Sequence, residues 1–340
     1  MGHQLRMCIL GCGTAARMHS AAARALSSDL VLLYASRSRD RAQEYASRLG
    51  GVGCFGSYEE ACTDGRVDAV LICTPPSLHA ELACRAAAHG KAVLIEKPVT
   101  RTLEELAVVE AAVARAGVPC MVAENYGFKP MVHLLRERLA AGEIGWAWSF
   151  ELIRAGRQRV SGWRTDVELS GGGALLEGGV HWINYLRSLG GEVFDVRATR
   201  PHRRGRSSLT APVEDGLELE VRFASGAVGR LVHDWNAPSP LAVLRLSTIR
   251  GDEGTIRFES NGLFALVLGR RRRLLLPGVR DLMGRRAMLR HFVQCARDGR
   301  PPAMSLTVAR RDLAVVWAAY RSLETGTFVP VANALPAVAT

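Results

Sequence analysis

The stretch Leu5-Arg-Met-Cys-Ile-Leu-Gly11-Cys12-Gly13-Thr14-Ala15-Ala16 decides the fold. An apolar run of strand length ends at a glycine, and helix-forming residues follow from Thr14. Gly-x-Gly-x-x-Ala between a strand and a helix is a dinucleotide-binding turn. The first glycine permits the tight turn, the second lets backbone approach a pyrophosphate, and small Ala16 lets helix and strand pack closely. The helix start then offers N–H donors and a positive dipole end to phosphate. Gly11, Cys12, Gly13, Thr14, Ala15 and Ala16 are therefore candidate cofactor-binding residues.

Outward from this turn, strand and helix signals alternate. Strands are expected at 30–35, 67–73, 92–95 and 119–122, and helices at 14–27, 39–49, 78–89 and 103–116. Continuous Val/Ile/Leu runs between helices are what a parallel sheet covered on both faces requires. The expectation is an α/β protein with a doubly wound domain over residues 1–122. Beyond it the pattern changes. A helix at 131–141 and a strand at 146–153 precede Gly171-Gly-Gly173 and a helix over 175–189. Seven short strand-like runs follow, at 193–199, 217–223, 228–233, 241–249, 254–258, 263–268 and 273–276. Successive strands without long helices imply a mostly antiparallel sheet. Helices at 287–298 and 307–325 close a second domain over 123–340, packing back on the first domain being allowed for them; 332–340 reads as a tail.

Two strand ends carry chemistry. The second strand runs into Tyr34-Ala35-Ser36-Arg37-Ser38-Arg39-Asp40-Arg41. An NAD site places an acid there for the ribose diol, and an NADP site an arginine for the 2′-phosphate. Ser36 and Arg37 stand where the acid would be, and Arg41 follows, so NADP is expected before NAD. The second is Val93-Leu-Ile-Glu96-Lys97-Pro98. A lysine at the carboxyl end of a buried strand, where doubly wound sheets bind ligands, can take part in proton transfer at a substrate hydroxyl. Proline after it restricts Lys97 to an extended or turn geometry, and a cis bond is open to it.

Composition narrows the function classes. The chain has 340 residues, 44 Lys+Arg and 33 Asp+Glu, for a formal +11. The first 122 residues are close to neutral, so the excess lies in the second domain. Lysine occurs only at 91, 97 and 129, and arginine supplies the rest. Arg270–Arg273 is the densest basic run, but it lies between apolar runs as a hairpin turn would, and no helix-turn-helix, zinc-finger or aromatic RNA-binding pattern accompanies it. No nucleic-acid partner is expected. Eight cysteines form no C-x-x-C pair and no Cys/His cluster of metal spacing, so neither a metal nor a disulfide framework is expected. No apolar run has membrane-spanning length. The start does not read as a signal peptide. A soluble cytoplasmic protein is the expectation.

Several motifs together resemble the Gfo/Idh/MocA oxidoreductases, the glucose–fructose oxidoreductase and inositol dehydrogenase family. They are Gly11-x-Gly-x-x-Ala16, Thr74-Pro75-Pro-Ser-Leu-His79, Glu96-Lys97-Pro98 and Ala140-Ala-Gly-Glu-Ile-Gly145. Ser170-Gly-Gly-Gly-Ala-Leu-Leu-Glu177-Gly-Gly-Val-His181 and Asp298-Gly-Arg-Pro-Pro302 follow in the same order. The resemblance implies hydride transfer between nicotinamide and a carbinol or carbonyl carbon of a sugar or polyol. It implies an oligomer, dimer or tetramer, built through the second sheet. Lys97 falls on the family's catalytic lysine and His181 on its histidine. Thr74, Pro75, His79, Glu96 and Asn125 fall near the nicotinamide ribose, and Tyr126 and Asn184 join the substrate-facing set.

The chain departs from the family pattern at three places. Glu177 and Asn184 stand where many members carry aspartates. Glu177 and His181 are four apart, on one helix face, so the carboxylate would orient the imidazole. Gly127 replaces the arginine of Asn125-Tyr126-Arg-Phe-type segments. The stretch Arg154-Ala-Gly-Arg157-Gln-Arg159-Val-Ser-Gly-Trp163-Arg164 borders the family's substrate pocket. Two readings stand for it: its four arginines, Arg154, Arg157, Arg159 and Arg164, with Trp163 hold a carboxylated or phosphorylated sugar, or the loop is merely solvated. Two other functions share the fold, an NAD-dependent glycosidase that oxidises and re-reduces its substrate, and a dinucleotide-binding regulator without catalysis.

Overall fold

The computed structural model describes residues 4–201, 213–237 and 245–331. The expectations for 241–244 and for the tail at 332–340 lie outside the described residues. The chain forms two compact units, Met1–Glu124 with Arg285–Arg310, and Asn125–Gly284 with Arg311–Thr340.

In the first unit, β1 (Leu5–Leu10), α1 (Thr14–Ala23), β2 (Leu30–Ala35), α2 (Arg39–Leu49), β3 (Cys54–Phe55) and α3 (Tyr58–Thr63) follow one another. Then come β4 (Ala69–Ile72), α4 (His79–Ala88), β5 (Ala92–Ile95), α5 (Leu103–Ala116) and β6 (Cys120–Val122). The strands pair in the order β3-β2-β1-β4-β5-β6, each neighbour parallel to the next. The order reverses between β1 and β4, and the carboxyl edge there is the ligand-binding edge of such sheets. Every residue of β4 and β5 is buried. That is why these runs show no alternation: helices cover both faces.

Caps account for the helix limits. Ser38, Ser57 and Thr102 accept hydrogen bonds from Arg41 N, Glu60 N and Glu105 N at the starts of α2, α3 and α5. Gly50 and Gly117 end α2 and α5 in the left-handed conformation. β3 and α3 escaped the sequence reading because both are too short to show a period.

The second unit contains α6 (Pro130–Ala140), β7 (Ala147–Ala155), α7 (Val167–Ser170), α8 (Val180–Gly190), β8 (Val193–Thr199), β9 (Gly216–Phe223) and β10 (Val228–Asp234). Then come β11 (Leu246–Gly251), β12 (Gly254–Glu259), β13 (Ala265–Leu268), β14 (Arg272–Leu275), α9 (Arg285–Asp298), α10 (Leu306–Thr325) and β15 (Val329–Pro330), with α9 in the first unit. Nine strands pair as β14-β13-β12-β11-β7-β10-β9-β8-β15. All neighbours are antiparallel except β7 and β10, which run parallel at the sheet's centre. β9 shows the period: Leu217, Leu219, Val221 and Phe223 are buried, and Glu220 and Arg222 are exposed. Arg270–Arg273 does sit at the β13–β14 hairpin, where Arg270 pairs with Glu253 and Arg273 with Glu143.

The linear boundary at 122/123 is incomplete. Helix α9 belongs to the first unit, where Arg297 pairs with Asp29 at 3.0 Å. Arg310, the last residue of the first unit, pairs there with Glu110. Hydrophobic period reports that a helix has an apolar face, not which sheet covers it.

Candidate active site

The phosphate turn is built by exclusion. Gly11 has φ +107°, and a Cβ there would lie 2.8 Å from the Cys73 carbonyl oxygen, so only glycine fits. Gly13 begins α1 without any side-chain cap, and nothing lies within 4 Å of where its Cβ would be. No acidic residue occupies the first turn. The helix start thus keeps open donors and open space, which fits a dinucleotide pyrophosphate. Arg41 donates from Nε and Nη2 to the Cys12 carbonyl at 3.2 and 2.9 Å, so it braces the turn from behind. Ser36 is buried at the end of β2, and Arg37 beside it is exposed.

At the end of β5, Glu96 joins that strand end to α1. Its Oε1 lies 2.6 Å from His19 Nε2 on α1, and its Oε2 accepts from Lys97 N at 3.0 Å. The helix that begins at the phosphate turn is therefore tied to the strand end that presents Lys97. His19 is 2 % exposed, and nothing in its spacing singled it out. The Lys97–Pro98 bond is cis.

His79 is held on both ring nitrogens by backbone carbonyls. It is 1 % exposed, with Nδ1 2.9 Å from the Pro98 carbonyl and Nε2 2.9 Å from the Thr74 carbonyl. Burial pushes its pKa down, against the pull of those carbonyls. It fastens the Thr74–Pro75 turn to the Pro98 turn. Thr74 Oγ1, in contrast, is buried without a partner.

In the second unit the glycine-rich segment forms a π-turn, Leu175–Gly179, that runs directly into α8. Tertiary packing dictates its glycines. A Cβ on Gly172 would meet Tyr320 Oη at 2.8 Å, one on Gly173 would meet the Glu214 carbonyl at 2.2 Å, and one on Gly178 would meet His233 Nε2 at 3.1 Å. Glu214 Oε1 accepts from Leu175 N at 2.8 Å and from Tyr320 Oη at 2.9 Å, so it caps the turn. Neither Glu214 nor Tyr320 has a motif around it, and the sequence reading missed both.

Burial pushes the Glu214 pKa up. A carboxyl raised on folding adds stability below its unfolded pKa, and that contribution is lost as pH rises through the folded value. Glu214→Gln keeps an oxygen for both donors and removes the buried charge. Its melting temperature at pH 7 is expected above that of the parent, with the gap narrowing toward pH 4. Thermal scans at both pH values check this, and a parent more stable than the variant at pH 7 contradicts it.

His181 stacks on Tyr126 at 4.6 Å between centroids and 8° between planes. The buried Lys129 Nζ lies 4.4 Å from the Tyr126 ring centroid. Glu177 Oε1 accepts from Arg164 Nε at 3.0 Å, and Arg164 lies over the Trp163 ring at 4.7 Å. Arg157 is exposed. Asn125 Nδ2 donates to the Met283 carbonyl at 2.6 Å, within the second unit. Asn184 is buried, and its Nδ2 donates to Asp312 at 2.7 Å in a network with Arg187. Asn125 and Asn184 thus spend amide donors on the protein itself.

Comparison with known proteins agrees with both units. Residues 5–124 match the family model described as an oxidoreductase family with an NAD-binding Rossmann fold, and residues 132–257 match the GFO/IDH/MocA C-terminal domain. The chain belongs to the GFO/IDH/MocA oxidoreductases. It is 26% identical to the scyllo-inositol 2-dehydrogenase (NAD(+)) of Bacillus subtilis over 96% of each chain. It is 32% identical to the levoglucosan dehydrogenase of Pseudarthrobacter phenanthrenivorans over 66% of this chain, and that match spans 64% of the relative, under two thirds of its length. A levoglucosan dehydrogenase structure in complex with NADH and levoglucosan superposes with a TM-score of 0.88, 25% identity, and coverage of 97% of this chain and all of the other. As a GFO/IDH/MocA member the chain is an NAD(P)-dependent oxidoreductase with a Rossmann cofactor domain.

Proposed function

We propose that this oxidoreductase interconverts a secondary alcohol and a ketone on a sugar-like or polyol substrate. The observation that carries the reading is the tie from α1 through His19 and Glu96 to Lys97. One hydrogen-bonded path joins the helix that starts at the phosphate turn to the backbone of Lys97, the residue that carries an ammonium at the ligand-binding edge of the sheet. Gly11, Gly13 and the first turn of α1 would hold the pyrophosphate, and Ser36 and Arg37 the adenosine ribose with its 2′-phosphate. When bound, nicotinamide supplies the hydride acceptor or donor.

The chain's own residues handle the proton. An alcohol releases hydride only as its hydroxyl loses a proton, so a base must lie within about 2.6–3.2 Å of that oxygen. Lys97 Nζ and the imidazole of His181 are the groups assigned to hold and move that proton. Tyr126 fixes the plane of the imidazole by stacking, and Arg164 holds Glu177. Assays follow nicotinamide absorbance over a panel of sugars and polyols; cofactor binding with no turnover across the panel would make the protein a regulator.

The cofactor preference has its own test. Ser36 and Arg37 replace the ribose-binding acid, so NADP(H) is expected to bind more tightly than NAD(H). Arg37→Ala should cost about 1.5–3 kcal/mol, on NADP(H) alone, the size of a charge-assisted hydrogen bond. Fluorescence titration of both dinucleotides reads this directly; an NAD-favouring parent overturns it.

The second unit leaves Trp146, Trp148, Phe194, Val228, Leu246 and Leu274 exposed, which supports self-association through it. No helix among the described residues is long and apolar enough to cross a membrane. All eight cysteines are unpaired, which suits the reducing cytoplasm.

A further inference from the structure

The centre of the nine-stranded sheet carries hydrogen-bond donors that have no acceptors. Arg154 on β7 stands opposite His233 on its parallel neighbour β10, and Trp235 follows β10 on the same face, its ring centroid 6.4 Å from that of His233. Trp235 is 2 % exposed. Its Nε1 and Arg154 Nη1 are closed to water and have no hydrogen-bond partner. Arg154 Nη2 donates to Gln158 Oε1 at 3.3 Å.

A second cation lies beside the first. Arg245 Nε donates to the Ala155 carbonyl at 2.9 Å, and a Cβ on Gly156 would lie 2.8 Å from Arg245 Nη2. Burial first, and the Arg245 charge second, push the Arg154 pKa below the ordinary arginine range. The carboxylate whose field reaches Arg154 is Glu177, and Glu177 is ion-paired with Arg164. Among the described residues neither Arg154 nor Arg245 has an ion-pair partner. Partly buried charges left without a counter-charge are the costly case in a protein interior.

Guanidinium and indole N–H groups donate and never accept. The group that completes this set only accepts and carries negative charge, and a carboxylate or phosphate matches the arginine fork. The place is also right. Gly178 of the π-turn faces the same residues, its Cβ position 3.1 Å from His233 Nε2 and 3.9 Å from Trp235 Nε1. The donors therefore lie against the turn that carries Glu177 and leads to His181.

We propose that Arg154, with Arg245 and Trp235, reads a carboxylate or phosphate on the substrate, so that the preferred substrate is an acidic sugar. This rests on the redox reading of the same turn. It narrows anion recognition within the 154–164 stretch to Arg154, since Arg157 is exposed and Arg164 is already engaged by Glu177, and it adds Arg245 and Trp235.

The test is calorimetric titration of the full chain, loaded with reduced nicotinamide dinucleotide, with D-glucuronate, D-glucose 6-phosphate and D-glucose. Steady-state assays use the same three sugars. One acidic sugar is expected to bind about 10–100-fold more tightly than glucose, the range of one charge-assisted contact, and which acid wins separates carboxylate from phosphate. Arg154→Met should bring the acid-to-neutral ratio close to one, and Arg154→Lys should restore part of it. Trp235→Phe removes only the N–H and Arg245→Gln only the second charge; each should lower the ratio, and they carry the test if Arg154→Met does not fold. Glucose binding as well as both acids, or an Arg154→Met loss equal on all three sugars, overturns the proposal. Acid-selective binding without turnover keeps it and defeats the redox reading. Turnover of neutral sugars with no acid preference does the reverse.

Discussion

Replacing Lys97 by methionine is expected to lower kcat by about 10²–10⁴, the usual worth of a positioned general acid–base group, while dinucleotide affinity stays near that of the parent. The separation follows from the geometry of the first unit. The phosphate turn is shaped by Gly11 against Cys73, by open space at Gly13 and by Arg41 behind Cys12, and none of these involves the Lys97 side chain. Glu96, by contrast, holds the Lys97 backbone through its N–H and is itself held by His19. Methionine keeps the unbranched stem of lysine, ends one atom short where the ammonium would be, and leaves that backbone bond in place, so the loss isolates the ammonium. His181→Ala should also lower kcat, with a rise in KM, because the imidazole, stacked on Tyr126, is the second group proposed to handle the substrate's proton. Glu177→Gln should act less, felt mainly in the pH profile. The measurement is steady-state kinetics across pH on a confirmed substrate, with cofactor binding titrated separately. Near-normal turnover by Lys97→Met would end the assignment of Lys97 as the acid–base group.

The largest stability effect is expected at Asp312. Its carboxylate pairs with Arg187 and accepts from Asn184 Nδ2 at 2.7 Å, and the Arg187 and Asp312 side chains are 8 % and 6 % exposed. Arg187 also donates to Glu192 at 2.9 Å. Asp312→Ala takes the carboxylate away from a buried guanidinium and from the Asn184 amide, and breaking such a pair costs about 3–5 kcal/mol. Replacing both partners, Arg187→Met with Asp312→Leu, removes both charges and should recover most of that loss, since apolar groups of similar volume often substitute for a buried ion pair. All six tryptophans, at 146, 148, 163, 182, 235 and 317, lie in the second unit, so their fluorescence during urea unfolding reports that unit alone. A loss below about 1 kcal/mol in Asp312→Ala would mean that the pair behaves as an exposed one. The surface pairs Arg197–Glu220 and Arg230–Glu218 are the comparison, since exposed pairs contribute little.

The sequence by itself determined the parallel sheet, its phosphate turn and the strand end with Lys97. Each is a local pattern: an unbroken apolar run, two glycines at fixed spacing, a charged pair before proline. It also determined the mostly antiparallel second sheet, because strand runs that follow one another without long helices leave no crossover for parallel pairing. His19, Glu214 and Trp235 were not legible as site residues, since what distinguishes them is a partner far along the chain or the lack of one. Ser36 and Arg37 could be read at the end of β2, but His79 could not be told apart from a ligand-facing histidine until both of its ring nitrogens were found at carbonyl oxygens. Asn184 is the same case, a polar residue on a helix that spacing alone leaves free and that folding commits to Asp312. The membership of α9 was likewise decided in three dimensions. An amphipathic face is a demand for a partner surface, and only the folded chain brings residues 285–298 to the unit that meets it.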